Sequence, residues 1–299
     1  MDGISVILTT YNGEMRGFLD QAIQSVLNQS YDMFELIIVD DGSIDQTEVL
    51  CSKFLECNYV KYLKKSNGGP ASARNFGIKH SRYNYISFLD DDDLYEECML
   101  EKLLLFFKQQ ENETLGLVYC AVQEMESREI KFELHSGNVF NDLIKGNFLT
   151  TSAVLLHRKV FEEVGYFSEE LRYSEDYDLW LRISEKFQIA GLDSVLVKRR
   201  VHIDQLSSHS EKMQVYHRFI LEKACESPLF SLKKNEVFFP YNMTYAKIFL
   251  SQKKYKLFRK EFESATQHGV VSLKWKIKYF LSFSPLLFNF FHRLVKRFE

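Results

Sequence analysis

Residues 5–43 read SVILTTYNGEMRGFLDQAIQSVLNQSYDMFELIIVDDGS and contain one complete strand–helix–strand unit. Residues 5–9 are β-rich. Over residues 18–27, Phe18, Leu19, Ala22, Ile23, Val26 and Leu27 fall on one helical face. The apolar run returns at residues 35–39 (ELIIV) and breaks at Asp40-Asp41-Gly42-Ser43, whose composition is that of a turn. Outward from this unit the pattern repeats. Residues 45–55 form a helix with Asp45 as N-cap and Glu48 as its capping-box partner. A strand at 60–64 precedes a helix at 70–79, and a strand at 85–89 precedes a helix at 96–108. Four such repeats predict an α/β fold: a Rossmann-like, mostly parallel sheet with flanking helices and right-handed crossovers. In such sheets ligands sit beyond the carboxyl ends of the strands.

After residue 115 the pattern loosens. Strands are expected at 117–121 and 152–157 and helices at 158–164 and 177–185, with 124–136 a mobile or edge segment. Beyond His209 only helical stretches are read, which predicts a catalytic domain over 1–210 and a helical C-terminal region over 211–299. The length, 299 residues, suits about two domains.

Charge divides the same way. Residues 230–299 carry 14 Lys+Arg and 4 Asp+Glu, a net of +10, against −13 for the first 229 residues. The overall −3 excludes the uniform basic coat of a nucleic-acid binder. Five cysteines without a C-x-x-C pair point to reduced thiols and a cytoplasmic setting, not a disulfide scaffold or a Cys-rich zinc site. No signal peptide is expected, and the longest near-continuous apolar stretch, residues 279–291, is too short for a membrane-spanning helix.

The polar chemistry lies at the strand ends. Asp90-Asp91-Asp92-Asp93 is the strongest signal: adjacent carboxylates repel by roughly 4 kcal/mol per pair at ~4 Å and an effective dielectric of ~20. A hard divalent cation relieves that repulsion. The bland reading, compatible with it, makes Asp92 or Asp93 the cap of helix 96–108. Asp40-Asp41-Gly42-Ser43 offers a carboxylate to a base N–H or ribose hydroxyl, or is merely a turn. Asn67-Gly68-Gly69-Pro70 opens a helix with Arg74 one turn in, a phosphate-compatible arrangement or a surface turn. Glu175-Asp176 lies among apolar neighbours, where burial would raise a carboxylate toward the working range of a general base; the alternative is an N-capped helix start. His202 reads as a metal or phosphate contact, or as structural.

As an ordered set, Ser5–Asn12, Ile38–Ser43, Asn67-Gly68-Gly69 with Ala73-Arg74-Asn75, Phe88–Asp93, Val164-Gly165-Tyr166-Phe167 and Glu175-Asp176 resemble the family 2 glycosyltransferases with the GT-A fold. The resemblance covers about residues 3–210 and not the tail. It implies an inverting transfer of a sugar from a nucleotide-diphosphate donor, UDP foremost, to an acceptor hydroxyl of a glycan or lipid-linked saccharide in polysaccharide or cell-envelope biosynthesis. Carried over, Thr9, Tyr11 and Asp41, with Asp40 beside it, hold the nucleobase and ribose, and Arg74 lies against the nucleotide. Asp90 and Asp92 match the family's D-x-D, Asp92 as the direct Mn²⁺ or Mg²⁺ ligand, with Asp91 ranked below them. Asp176 matches the catalytic base with Glu175 beside it; His202 is carried over weakly to the metal, because Ile203-Asp204 replaces a common Pro-Gly-like turn.

The rival readings lack their signatures. A processive synthase would need transmembrane helices and Q-x-x-R-W; a sugar-phosphate nucleotidyltransferase would need a Gly-rich, basic loop where Thr10-Tyr11-Asn12-Gly13 stands. The phosphatase-like look of Asp40–Ser43 has no companion motif, and a non-catalytic carbohydrate- or nucleotide-binding or scaffolding module would not require both acidic clusters. The tail interleaves Lys274, Lys276, Lys278, Arg293, Lys296 and Arg297 with Trp275, Phe280, Phe283, Phe288, Phe290 and Phe291. That composition suits peripheral contact of residues 270–299 with an anionic membrane; helices packed on the protein are the alternative.

Overall fold

A computed structural model describes residues 2–202 and 210–283. Residues 203–209 and 284–299, which include Ile203-Asp204 and the last basic and aromatic positions of the tail, lie outside the described residues. The chain divides into two compact units, Met1–Leu143 with Asn147–Leu206, and Ser207–Glu299 with Ile144–Gly146.

The first unit is built on strands β1 (Ile4–Thr10), β2 (Phe34–Asp40), β3 (Val60–Lys64), β4 (Tyr85–Asp90), β5 (Leu94–Tyr95), β6 (Leu115–Glu124), β7 (Ile130–Lys131), β8 (Ser136–Gly137), β9 (Val154–His157) and β10 (Gln188–Arg199). They form one sheet in the order β3-β2-β1-β4-β9-β6-β10-β5, with β7 on β6 and β8 on β10. The first four strands are parallel, as the repeats predict. Antiparallel β9 separates β4 from the parallel β6–β10 pair, so the sheet is mixed. Register places Thr10 opposite Asp40 and Thr9 opposite Asp90, so the carboxyl ends of β1, β2 and β4 meet at one rim.

The helices are α1 (Gly13–Arg16), α2 (Leu19–Leu27), α3 (Thr47–Ser52), α4 (Pro70–His80), α5 (Met99–Gln109), α6 (Phe140–Leu143), α7 (Lys159–Val164) and α8 (Glu175–Lys186). Leu19, Ala22, Ile23 and Val26 of α2 are buried with Leu100, Leu103 and Leu104 of α5 and Ile4, Val6, Leu8, Leu36 and Ile38 of the sheet. Burying each such Leu, Ile or Val contributes about 1.5–3 kcal/mol. On the opposite face α4 approaches so closely that a Cβ on Gly77 would lie 2.4 Å from Ile7 Cγ2.

Two local expectations are corrected, and one strand is added. The 96–108 helix begins instead at Met99 with Cys98 as N-cap, because Leu94-Tyr95 pairs with β10, and neither Asp92 nor Asp93 caps it. Asp45 does not cap a helix: its Oδ1 accepts from the Thr47 N–H at 3.1 Å and its Oδ2 from the Met15 N–H at 2.9 Å, and α3 starts two residues later. The 12-residue strand β10 has no counterpart in the sequence reading.

The second unit holds α9 (Ser210–Ala224), α10 (Lys234–Ser251), α11 (Tyr255–His268) and α12 (Leu273–Leu281). Its core includes Val237, Phe249, Phe258, Phe262 and Ala265, and no strand occurs among its described residues.

Candidate active site

The rim is assembled by side chains that bind neighbouring loops. Asn12, left-handed at φ 52°, accepts the Ile44 N–H on Oδ1 (3.0 Å), while its own N–H donates to Ser43 Oγ (2.8 Å). Gly42, at φ 84°, turns the chain where a Cβ would meet Asn67 N at 2.8 Å. Asp40 is fully buried; it accepts the Ser43 N–H at 2.7 Å and the Tyr62 hydroxyl. Burial and this carboxylate hold the Tyr62 phenol well above its ordinary range. Asp41, also buried, accepts from Lys65 Nζ (2.8 Å), Gly68 N–H (3.0 Å) and Gly69 N–H (2.7 Å). Asp40 therefore braces the loop after β2. Asp41 holds the Gly68-Gly69 backbone that leads into α4.

The four aspartates after β4 have four environments. Asp90 is the open one, its side chain 36% exposed, paired with Arg74 Nη2 at 2.7 Å. Asp91 is buried and accepts from Thr10 Oγ1 and Arg16 Nη2. Burial pushes its carboxyl up to about 7, against the pull of Arg16 and Thr10. Through Thr10 it ties the end of β1 to the segment after β4. Asp92 lies 2.9 Å from His202 Nε2. The His202 ring packs against Phe18, centroids 5.4 Å apart. Asp93 is buried and accepts from Ser152 Oγ at 2.7 Å; burial, then the charges of Asp92 and Asp90, raise its carboxyl well above the ordinary range. The expected repulsion is thus offset by the cations Arg74 and Arg16 and by the hydrogen bonds from Thr10 and Ser152.

Arg74 connects the distant acidic pair to this cluster. It is 5% exposed, with Nη1 donating to Glu175 at 2.6 Å and Nη2 to Asp90 at 2.7 Å, and its guanidinium lies 5.5 Å from the Phe167 ring centroid. Both outer nitrogens are committed and Nε has no partner among the described residues. Arg74 is thus a buried bridge between the end of β4 and the start of α8. Ser174, left-handed at φ 61°, turns the chain into α8, so Glu175 and Asp176 lie in its first turn. Burial, then the Glu175 charge, pushes Asp176 up to about 6, with Arg74 pulling the other way. Thr151 Oγ1 donates to Asp176 at 3.2 Å, and the next residue, Ser152, accepts the Asp90 N–H at 3.2 Å.

Thr9 is partly exposed at the end of β1, and Tyr11 is 44% exposed just beyond it. Thr151, Ser152, Arg16 and Tyr62 escaped the sequence reading; each is a common residue type with no motif around it, and only the fold brings it to the rim. For a cation, the donor set is two carboxylates, Asp90 and Asp92, with the His202 imidazole beside them. No group of three or more His, Cys, Asp or Glu poised to hold a metal occurs among the described residues. A Mg²⁺ or Mn²⁺ that shares substrate phosphates needs only one or two protein carboxylates, so the donor set fits one.

The profile described as Glycosyl transferase family 2 matches residues 5–165. An uncharacterized glycosyltransferase of Rickettsia conorii is 36% identical over 200 residues, 66% of this chain and 33% of that protein. The minor teichoic acid biosynthesis protein GgaB of Bacillus subtilis is 42% identical over 113 residues, 36% of this chain and 12% of its own length. The chain thus spans a third or less of these relatives. The crystal structure of S. aureus TarS 1–349 in complex with UDP-GlcNAc superposes with a TM-score of 0.65 at 18% identity, covering 88% of this chain and 81% of that one, a likeness of fold.

Proposed function

The chain belongs to glycosyl transferase family 2, and on that premise we propose that residues 1–210 transfer a sugar from a nucleotide-diphosphate donor to an acceptor hydroxyl with inversion. The observation that carries this reading is the two-armed Arg74 bridge, which joins Asp90 at the strand end to Glu175, the neighbour of Asp176. In this reading Asp176 takes the proton of the acceptor hydroxyl as the oxygen bonds to the anomeric carbon. The bond from that carbon to the diphosphate oxygen breaks on the opposite face, which inverts the centre. A carboxyl pushed up to about 6 is matched to proton transfer near neutrality. Thr151 fixes one oxygen of Asp176, and Arg74 holds Glu175 back from it. Thr9 and Tyr11 line the open edge for base and ribose. Asp90 and Asp92, with His202 alongside, would hold a Mn²⁺ or Mg²⁺, whose chemistry is to neutralise charge on the departing diphosphate.

UDP is the proposed carrier and a cell-envelope glycan or lipid-linked saccharide the proposed acceptor; the UDP-GlcNAc complex of TarS and the teichoic acid role named for GgaB support this. The test is release of nucleoside diphosphate from a panel of UDP-, GDP- and dTDP-sugars. Release with Mn²⁺ that stops in chelator supports the reading. Binding of a nucleotide sugar without turnover of any would favour a non-catalytic binding module, and full turnover in chelator would remove the cation from Asp90 and Asp92.

A further inference from the structure

The second unit presents a surface that the transfer reaction does not use. Helix α12 reads LKWKIKYFL and carries three lysines and no acid. One face docks within its unit: Tyr279 stacks on Phe262 with centroids 4.9 Å apart, Trp275 lies 6.4 Å from Phe258, and Arg259 donates to the Ser282 carbonyl at 2.7 Å. Leu273, Ile277 and Phe280 fall at positions i, i+4 and i+7 and are 72%, 51% and 71% exposed. At ~100° per residue their stripe is centred roughly 160° from the docked one, with Lys274 on one flank and Lys276 on the other. Val270, just before the helix, is 93% exposed, whereas Phe283 after it packs on the docked side against Tyr279 and Arg259.

We propose that this outward face of α12 lies in the interface of an anionic lipid bilayer. Contiguous exposed apolar side chains mark an interaction surface, where scattered single ones do not. Apolar side chains on one face with lysines at both flanks are the arrangement of a helix lying in the plane of a membrane. The stems extend along the apolar face into the acyl boundary and the ammonium groups reach lipid phosphates. Charge selects the anionic surface: residues 230–299 carry a net of +10 while the remainder carries −13, so a negative bilayer attracts this region and repels the rest. No helix among the described residues is long and apolar enough to cross a membrane, so the contact is peripheral. The inference stands independently of the reading of the active site.

The experiment is flotation of the full chain with vesicles of phosphatidylcholine, alone or mixed with phosphatidylglycerol. Wild-type protein is expected to float with the anionic vesicles only, and to be released by salt. Leu273→Ser, Ile277→Ser and Phe280→Ser combined should abolish flotation, and Lys274→Gln with Lys276→Gln should weaken it roughly 25-fold. The same exposed apolar-to-serine change at Leu134, in the first unit, should leave it unaltered. Every substituted side chain is exposed, so circular dichroism should match the wild type. Failure of the wild type to float, equal flotation with neutral vesicles, or undiminished flotation of the triple variant would each overturn the proposal. So would loss of a dimer in the triple variant without loss of lipid binding, which would assign the face to a second copy of the chain.

Discussion

Replacing Arg74 by glutamine removes the cation that bridges Asp90 and Glu175. On the Glu175 arm, the two side chains are 6% and 8% exposed and their atoms lie 2.6 Å apart. Deleting one partner of such a buried pair costs about 3–5 kcal/mol, because the remaining charge is left uncompensated. The Asp90 arm adds little, since that carboxylate is 36% exposed and water screens it. A domain stable by about 5–15 kcal/mol tolerates this and unfolds at a lower temperature. The kinetic effect is distinct. Arg74 opposes the burial and the Glu175 charge that push Asp176 up to about 6. Its loss raises the proton affinity of Asp176, and the acid limb of the pH profile of kcat/KM moves to higher pH. Arg74→Lys keeps the charge but not the planar fork, so the limb should stay near its wild-type position while kcat falls. The assay is nucleoside diphosphate release across the acid range, with Tm measured on the same variants. An unmoved acid limb in Arg74→Gln, with wild-type turnover, would refute the bridging role.

The geometry predicts two further outcomes. In the wild type the base must be unprotonated to accept the acceptor proton, so kcat/KM should rise with pH through about 6 and fall below it; a profile flat through that region would exclude Asp176. Gly77→Ala forces a Cβ to 2.4 Å from Ile7 Cγ2 and 3.2 Å from Val39 Cγ2. This overpacking of α4 on the sheet should cost about 1–3 kcal/mol, read as a lower urea midpoint, and an unchanged midpoint would contradict that packing.

Much of the first half of the fold was legible because period-2 and period-3.6 runs alternate there without interruption. The second half was not. Strand β10 reads QIAGLDSVLVKR, with Gly191 and Asp193-Ser194 breaking the apolar run, and its pairing with β6 shifts register between Leu192 and Val195, across Asp193-Ser194. Missing β10 also hid β5, its antiparallel partner, and moved the expected start of α5 by three residues. At the rim, the carboxylates were legible and their partners were not. Asp40, Asp41, Asp91 and Asp93 look alike in a sequence, yet each has a different partner, Tyr62, Lys65, Thr10 and Ser152, residues 22 to 81 positions away along the chain. Asp90 and Asp176 stay distinct because the same fold leaves Asp90 open and leaves Asp176 partly exposed at the start of α8.

The central claim is that one carboxylate, set apart from the donor-binding rim, does the proton chemistry. Asp176→Asn changes a single oxygen to nitrogen and separates the two functions. Nucleotide binding by calorimetry and sugar transfer in a single turnover, on the same preparation, should give affinity within a few-fold of wild type and transfer reduced by about 10²–10⁴-fold. Transfer at the wild-type rate, or loss of binding in step with transfer, would contradict the account.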